Sequence, residues 1–472
     1  MKKGITRLLV NLILTLCLGV AGVACSTPLD SGNSESSQTS QPPETHYQEP
    51  ALANIKNVIL LIGDGMGPNH VKAGEIYKGS QMAIHSMPFS TYSLTRSANK
   101  EVTDSAAGAT ALATGVRTNN GHVGVDTDQQ VLTTIMDIAL EEGKRTGVVT
   151  TDIISGATPM AFSAHCEDRH NDSALLSSAA KSGVNLFVSY SEDPAFDNST
   201  LTFEYGGYTK LEDVDDISDE TSDYVVGAYT ITANATPQSA DLDSVAFDRV
   251  VSESIAYLSK DTDGFVLMAE GARIDKQAEK NNFQGMLEEM IAFDNAVQTA
   301  LDWAKGRNDT IVIVTADHET GGLQLAEDIT KENMYSKHSW STTSHTATNV
   351  YCNVYAQNLD FLRYSSEGKA TEIKNVDVFN MMKAFVVGYQ TVGITVTQNK
   401  IFGGEITIDK MEFFYGDTVK INVSTGENYL LDSFTINGKE RVNDFNGDGT
   451  LSYVIDAREV AIKATFVETT GS

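Results

Sequence analysis

The chain has 472 residues, 41% of them hydrophobic, and a formal net charge of −29. That length supports a large core and more than one domain, while so acidic a body lacks the basic footprint of a nucleic-acid-binding protein. Anionic substrates are repelled at long range unless the site is locally positive, and divalent cations are one way to supply that charge.

The N-terminus reads as an address. Lys2, Lys3 and Arg7 precede an apolar run, Leu8–Val23, which is too short for an ordinary spanning helix. Ala24 then precedes Cys25, and Ser, Thr, Gln and Pro dominate to about Pro50. Residues 1–25 are expected to be a lipoprotein-type signal with Cys25 lipidated, and 26–50 a flexible linker. The protein is thus expected outside the cytoplasm, anchored to a bacterial cell membrane by its N-terminal lipid. Ordinary signal cleavage with full secretion is the alternative. Cys17 falls in the signal, leaving Cys166 and Cys352, too few for a disulfide framework; whether they pair stays open.

From Asn54 onward, short runs rich in Val, Ile and Leu alternate with helical patterns. Val58–Ile62, Gly147–Thr150, Phe265–Met268 and Ile311–Val314 read as strands buried on both faces. Leu132–Glu142, Val245–Leu258 and Gly285–Trp303 read as helices. The alternation predicts an α/β fold over residues 51–392, with a central, mostly parallel sheet flanked by helices. Residues 185–245, rich in Asp, Ser and Thr with strand-like pieces such as Tyr229–Thr232, read as an insertion beside that sheet; Met381–Tyr389 reads as a closing helix.

Residues 393–472 change character. Ile406–Ile408, Thr418–Val423, Ser433–Ile436 and Val460–Phe466 are short strand patterns separated by turns such as Asn437-Gly438, which predicts a small all-β module. Its pattern resembles the β-repeat modules of bacterial surface proteins, so a cell-surface ligand for it stays open. Asp444, Asn446, Asp448 and Gly449 resemble a fragment of a calcium loop without its acidic closer, and a plain turn is expected there.

Four predicted strands run into chemistry-bearing residues. Val58–Ile62 leads to Gly63-Asp64-Gly65-Met66-Gly67, Phe265–Met268 to Glu270 and Asp275, and Ile311–Val314 to Asp317-His318. Gly147–Thr150 leads to a loop with Thr158 and Arg169. In open α/β sheets the carboxyl ends of the strands share one crevice. A lone Asp after a strand is most often a helix cap; several together, with Asp-His and Glu…Asp pairs, point to a shared site. Ser105, in Thr103-Asp104-Ser105-Ala106-Ala107-Gly108, stands where a helix could begin and its amides favour an anion; alone, it would be an ordinary Ser/Asp cap. His122, His165 and His170 read as structural loop residues.

These segments, with Ala157-Thr158-Pro159, Glu270-Gly271-Ala272-Arg273-Ile274-Asp275-Lys276, Thr315-Ala316-Asp317-His318 and Ser344-His345-Thr346, resemble alkaline phosphatases in order and spacing over roughly residues 54–390. The resemblance implies a metal-dependent hydrolase of phosphate monoesters that forms a phosphoserine at Ser105. It implies one zinc held by Asp64, Asp317 and His318, and a second by Asp275 and His345, with Glu279 as a candidate third ligand. It also implies a magnesium on Asp64, Thr158 and Glu270, with Lys276 near it. Arg169 would grip the phosphate through its planar fork. A homodimer stays open.

Two departures mark this sequence. Glu279 stands where the family usually has a histidine, four residues after Asp275, so occupancy of that zinc site stays open, and the harder ligand set favours magnesium or manganese there. Gly156 stands where some relatives carry an acid or a histidine. A phosphodiesterase or sulfatase of the same wider superfamily, and a non-catalytic surface-binding protein on a decayed scaffold, are the competing readings.

Overall fold

The computed structural model describes residues 56–192, 194, 197–233, 244–356, 372–387, 393–400, 403–409, 418–455 and 459–469. The expected signal, Cys25 and the linker lie outside the described residues.

The strands of the larger body are β1 (Asn57–Gly63), β2 (Phe89–Leu94), β3 (Arg145–Thr150), β4 (Leu186–Tyr190), β5 (Thr209–Leu211), β6 (Val225–Ile231), β7 (Ser244–Val245), β8 (Phe265–Gly271), β9 (Thr310–Thr315), β10 (Glu319–Thr320), β11 (Leu323–Leu325), β12 (His338–Trp340), β13 (His345–Thr346), β14 (Val350–Ala356) and β15 (Glu372–Lys374). Its helices are α1 (Pro68–Lys78), α2 (Ser105–Thr114), α3 (Ile135–Glu141), α4 (Ala157–Ala161), α5 (Asp172–Ala179), α6 (Ser199–Tyr205), α7 (Phe247–Leu258), α8 (Arg273–Ala278), α9 (Phe283–Ala304) and α10 (Asn375–Val386).

The main sheet runs in the order β15-β2-β14-β9-β1-β8-β3-β4-β6-β5, with β7 paired to β6. Every pairing from β9 to β5 is parallel. β14 is antiparallel to β9 and β2, which makes the sheet mixed at that edge. Side chains alternate along each strand, and both faces of β1 are covered. Ile59 and Leu61 pack with Val71 of α1, Val251 of α7 and Phe293 of α9. Val58, Leu60 and Ile62 pack with Leu112 of α2, Met136 of α3, Met160 of α4 and Phe385 of α10. This is why the predicted strands are continuous apolar runs. Each such side chain, taken fully out of water, contributes about 1.5–3 kcal/mol.

Residues 185–245 depart from expectation. They supply β4, β5, β6 and β7, which extend the sheet with parallel strands instead of standing beside it. Among the described residues, the polar positions that suggested an insertion lie mainly between the strands, whereas Leu186–Val188 and Val225–Tyr229 are buried. Val245, expected in a helix, pairs with Ile231 as an edge strand, so α7 begins at Phe247. The closing helix starts at Asn375, earlier than expected, because Asp377 Oδ2 accepts from the Lys374 amide at 2.8 Å and caps it there. The expected helix residues after Val387 lie outside the described residues.

The C-terminal strands are β16 (Gly393–Gln398), β17 (Gly404–Ile408), β18 (Thr418–Thr425), β19 (Tyr429–Ile436), β20 (Lys439–Glu440), β21 (Thr450–Val454) and β22 (Glu459–Glu468). They form one sheet in the order β16-β22-β19-β20 and another in the order β17-β18-β21. Val419, Ile421, Phe434, Ile436, Ile462 and Phe466 share one core. Asn437 and Gly438, with φ of 50° and 79°, make the tight β19–β20 turn that their sequence predicts. Asp448 accepts from the Thr450 amide at 3.1 Å and Asp444 pairs with Arg441 at 3.0 Å, as in a plain polar turn.

Candidate active site

The chemistry-bearing residues stand at the C-terminal ends of the parallel strands. Asp64 follows β1, Glu270 lies near the end of β8, and Asp317 and His318 follow β9. Gly65 makes the sharp exit from β1. Its φ is +72°, and a Cβ there would stand 2.8 Å from Thr320 Oγ1 and 2.9 Å from Asp275 Cα, so no other residue fits without strain. The Gly65 amide donates to Asp317 Oδ1 at 3.3 Å, and the Thr320 amide donates to its carbonyl at 3.0 Å. Gly108 lets α2 lie against the Asp317 backbone, whose carbonyl oxygen is 3.0 Å from the place of a Cβ.

Ser105 is the first residue of α2, and the cap is Asp104, whose side chain accepts from the Ala107 amide at 3.0 Å. The cap therefore leaves the Ser105 hydroxyl free, and its Oγ lies 3.2 Å from His318 Nε2. Asp104 Oδ2 also accepts from the Gly121 amide at 2.9 Å and pairs with Arg169 Nη1 at 3.1 Å. One carboxylate thus starts the helix and holds Arg169 beside it.

Two sets of donors converge within 4.8 Å: Asp64, Asp317 and His318, and Asp275, His318 and His345. The first is the trio expected from sequence. In the second, His318 takes the compact position and Glu279 stands at the rim, its side chain 49% exposed and its Oε1 4.0 Å from His345 Nε2. Glu279 is the C-cap of α8, one turn after Asp275, so both carboxylates are on one side of the helix. The His318 and His345 rings stack at 3.5 Å. His345 is held by β13 pairing with β10 and by its Nδ1, 3.0 Å from the Thr103 carbonyl oxygen.

Asp64 Oδ1, Thr158 Oγ1 and Asp317 Oδ2 are buried without a hydrogen-bond partner. Buried polar atoms are normally paired, and charged ones are paired or coordinate metals. Among the described residues, the ion pairs of Asp64, Asp275 and Asp317 run only to histidines, while Arg169 is paired with Asp104 and Lys276 with Asp152. Burial pushes Asp64 well above the usual carboxylate range, with Asp317, Asp275 and Glu270 adding to the rise. Burial also raises Asp275 and Asp317, and burial followed by the Asp152 charge takes Glu270 up to about 8. Burial drives His318 down to about 3, so its ring is neutral, the form in which imidazole binds a cation. These oxygen and nitrogen donors suit divalent cations.

The sequence reading did not single out Asp152, Thr320 or the Asp104–Arg169 link. Thr320 donates to Asp275 Oδ1 and lies 3.2 Å from His318 Nδ1, fixing both. Asp152 follows β3 as Asp64 follows β1, so the strand-end pattern could have found it. His122 and His165 direct ring nitrogens at the carbonyl oxygens of Asp126 and Gly124, at 3.1 and 2.8 Å, and are loop residues. Cys166 and Cys352 are both free.

Fold and site together define an α/β protein with cation-type donor sets around a helix-borne serine. The family model described as "Alkaline phosphatase" matches residues 55–193 and 216–405, and the chain belongs to that family. It is 33% identical over 308 residues to alkaline phosphatase 3 of Bacillus subtilis, covering 61% of this chain and 66% of that protein. To the alkaline phosphatase of Escherichia coli it is 31% identical over 338 residues, covering 58% and 72%. The structure of alkaline phosphatase from the Antarctic bacterium TAB5 superposes with a TM-score of 0.61 at 28% identity, covering 71% of this chain and 99% of that one. A mutant of the TAB5 protein with Mg bound matches with a TM-score of 0.60 at 28% identity over the same shares.

Proposed function

We propose that the protein hydrolyses phosphate monoesters through a phosphoserine at Ser105. The observation that carries this is the Ser105 hydroxyl at the start of α2, left out of the helix cap and 3.2 Å from the imidazole common to both donor sets. The α2 amides and Arg169 bind and orient the anionic phosphate. Ser105 Oγ gives up its proton and attacks phosphorus as the ester oxygen leaves with its electron pair and takes up a proton; water then cleaves the Oγ–P bond, one of its protons returning to Oγ as phosphate is released. Asp64, Asp317 and His318 would hold one zinc, Asp275, Glu279 and His345 a second cation, and Asp64, Thr158 and Glu270 magnesium. Bound there, the cations supply positive charge to the transferring group and favour ionisation of the attacking oxygen. The test is metal analysis together with hydrolysis of chromogenic phosphate monoester, diester and sulfate substrates. Preference for the diester or sulfate would move the protein to another branch of the superfamily, and no hydrolysis with full metal content would mark a binding protein.

Glu279 sets the character of the second cation site. A carboxylate there is harder and more anionic than imidazole, so the site favours magnesium or manganese more than a histidine would and opposes proton loss nearby. Glu279→His is expected to tighten zinc by roughly tenfold or more, as changes at metal-site groups commonly do, and to move the activity optimum to lower pH. Chelator competition and pH–rate profiles read the two effects; identical values in both proteins would remove Glu279 from the site.

We further propose that Cys25 carries a lipid that anchors the protein to a bacterial membrane, on the strength of the basic start, apolar run and polar stretch around it. Among the described residues, no helix is long and apolar enough to cross a membrane. Cys25→Ser is expected to abolish labelling by a lipid precursor and shift the protein out of the membrane fraction. Equal membrane retention of the two forms would reject the anchor.

A further inference from the structure

Gly156 caps α4 with no side chain, two residues before Thr158 and its unpartnered hydroxyl. The space in front of the glycine is taken. A Cβ built there would stand 3.0 Å from Asp152 Oδ2 and 3.3 Å from Asp152 Cγ. The Asp152 carboxylate therefore folds back over the glycine from the turn after β3, with only 19% of its side chain exposed.

That turn is built around Glu270. The Asp152 amide donates to Thr150 Oγ1 at 2.9 Å, and the Thr150 hydroxyl donates to Glu270 Oε2. The Thr151 amide donates to the Glu270 carbonyl at 3.0 Å, and Thr151 Oγ1 accepts from the Ala272 amide at 2.9 Å. The Tyr190 amide donates to the Asp152 carbonyl at 2.7 Å. On the side chain, Oδ1 accepts from the Ile153 amide at 2.7 Å and pairs with the Lys276 ammonium. Lys276 directly follows Asp275 on α8, so the pair links the β3 turn to the helix that carries another site carboxylate. Both ends of the link thus adjoin residues of the donor sets.

We propose that Asp152 is a positioning residue for the cation site of Asp64, Thr158 and Glu270: entering the space that Gly156 leaves open, it supplies the anionic acceptor that a side chain at 156 would provide and holds the Lys276 ammonium beside the site. The inference rests on the phosphatase reading above. Magnesium keeps several of its own waters, and with three protein oxygens on offer those waters need acceptors close by. A glycine offers none, whereas the Asp152 carboxylate does. Outer groups of this kind affect cation affinity by orienting what touches the ion.

The test measures Mg2+ binding directly, by calorimetry on the full-length protein after chelator treatment, and not through turnover. Asp152→Asn keeps the size and loses the charge; it is expected to weaken Mg2+ binding about tenfold to a hundredfold while leaving the melting temperature in chelator unchanged or higher. Asp152→Ala should weaken it at least as much. The double variant Asp152→Ala/Gly156→Asp brings a carboxylate into the vacated space from α4 and is expected to recover most of the affinity, which a purely structural turn residue would not allow. Wild-type affinity in Asp152→Asn, or a folded double variant as weak as Asp152→Ala, would overturn the inference alone. A wild-type protein that takes up no Mg2+ would overturn the cation site and this inference with it.

Discussion

Ser105→Ala is expected to cut turnover of a phosphate monoester by on the order of 10³-fold or more, the scale seen when an enzyme loses its nucleophile. It should also abolish acid-stable incorporation of labelled phosphate into the protein. The fold should survive. Asp104, not Ser105, caps α2, and its bonds to the Ala107 and Gly121 amides and to Arg169 do not involve the serine hydroxyl. Alanine is the best helix former, and a buried Ser105 leaves only a small void. Residual activity is compatible with the assignment, because bound cations can still favour attack by water. Unchanged turnover, or labelling that persists in the variant, would sink it. Circular dichroism and the melting temperature separate lost chemistry from lost structure.

The second large effect concerns stability, pH and metal. Asp64, Glu270, Asp275 and Asp317 are raised above their ordinary values, foremost by burial, and Glu270 reaches about 8. A carboxyl whose folded pKa is raised binds more protons in the folded than in the unfolded chain between the two values. In that window stability falls as pH rises. The metal-free protein is therefore expected to lose stability from about pH 4, near the unfolded carboxyl values, up to about pH 8, where Glu270 completes its ionisation. Divalent cations reverse the effect by compensating the buried charge, and each tightly bound one stabilises by about 4 kcal/mol at a thousandfold excess over its Kd. Melting curves with chelator and with Zn2+ plus Mg2+ should lie close together near pH 5 and move far apart by pH 8. A gap that is constant across this range would mean that these four carboxylates are not cation ligands. A chelated protein that grows more stable toward pH 8 would contradict the electrostatics directly.

Much of this molecule is legible in its sequence for simple reasons. A strand buried on both faces is apolar along most of its length, so β1, β8 and β9 announce themselves through unbroken runs, while β3 has only Val148 and Val149 of that kind. A parallel sheet places its strand ends in one crevice, so Asp64, Glu270, Asp317 and His318 could be grouped before any coordinates. The Asn437-Gly438 signal acts through torsions within two residues, and it marks the β19–β20 turn where the structure has it.

Other features needed the tertiary structure. Residues 185–245 look like an insertion because their polar turns outweigh short strands; only pairing with β3 and with each other turns those strands into sheet. The grip of Asp104 on Arg169 depends on a loop 65 residues away in sequence. That Glu279 stands at the rim while His318 joins both donor sets depends on how α8 and the segment after β9 are brought together. The Asp152 carboxylate in front of Gly156 is likewise a matter of how one turn folds over another. Local pattern determines which elements form, because their periods are written along the chain. The distances among charged groups, which decide the chemistry, come from packing elements that the chain keeps far apart.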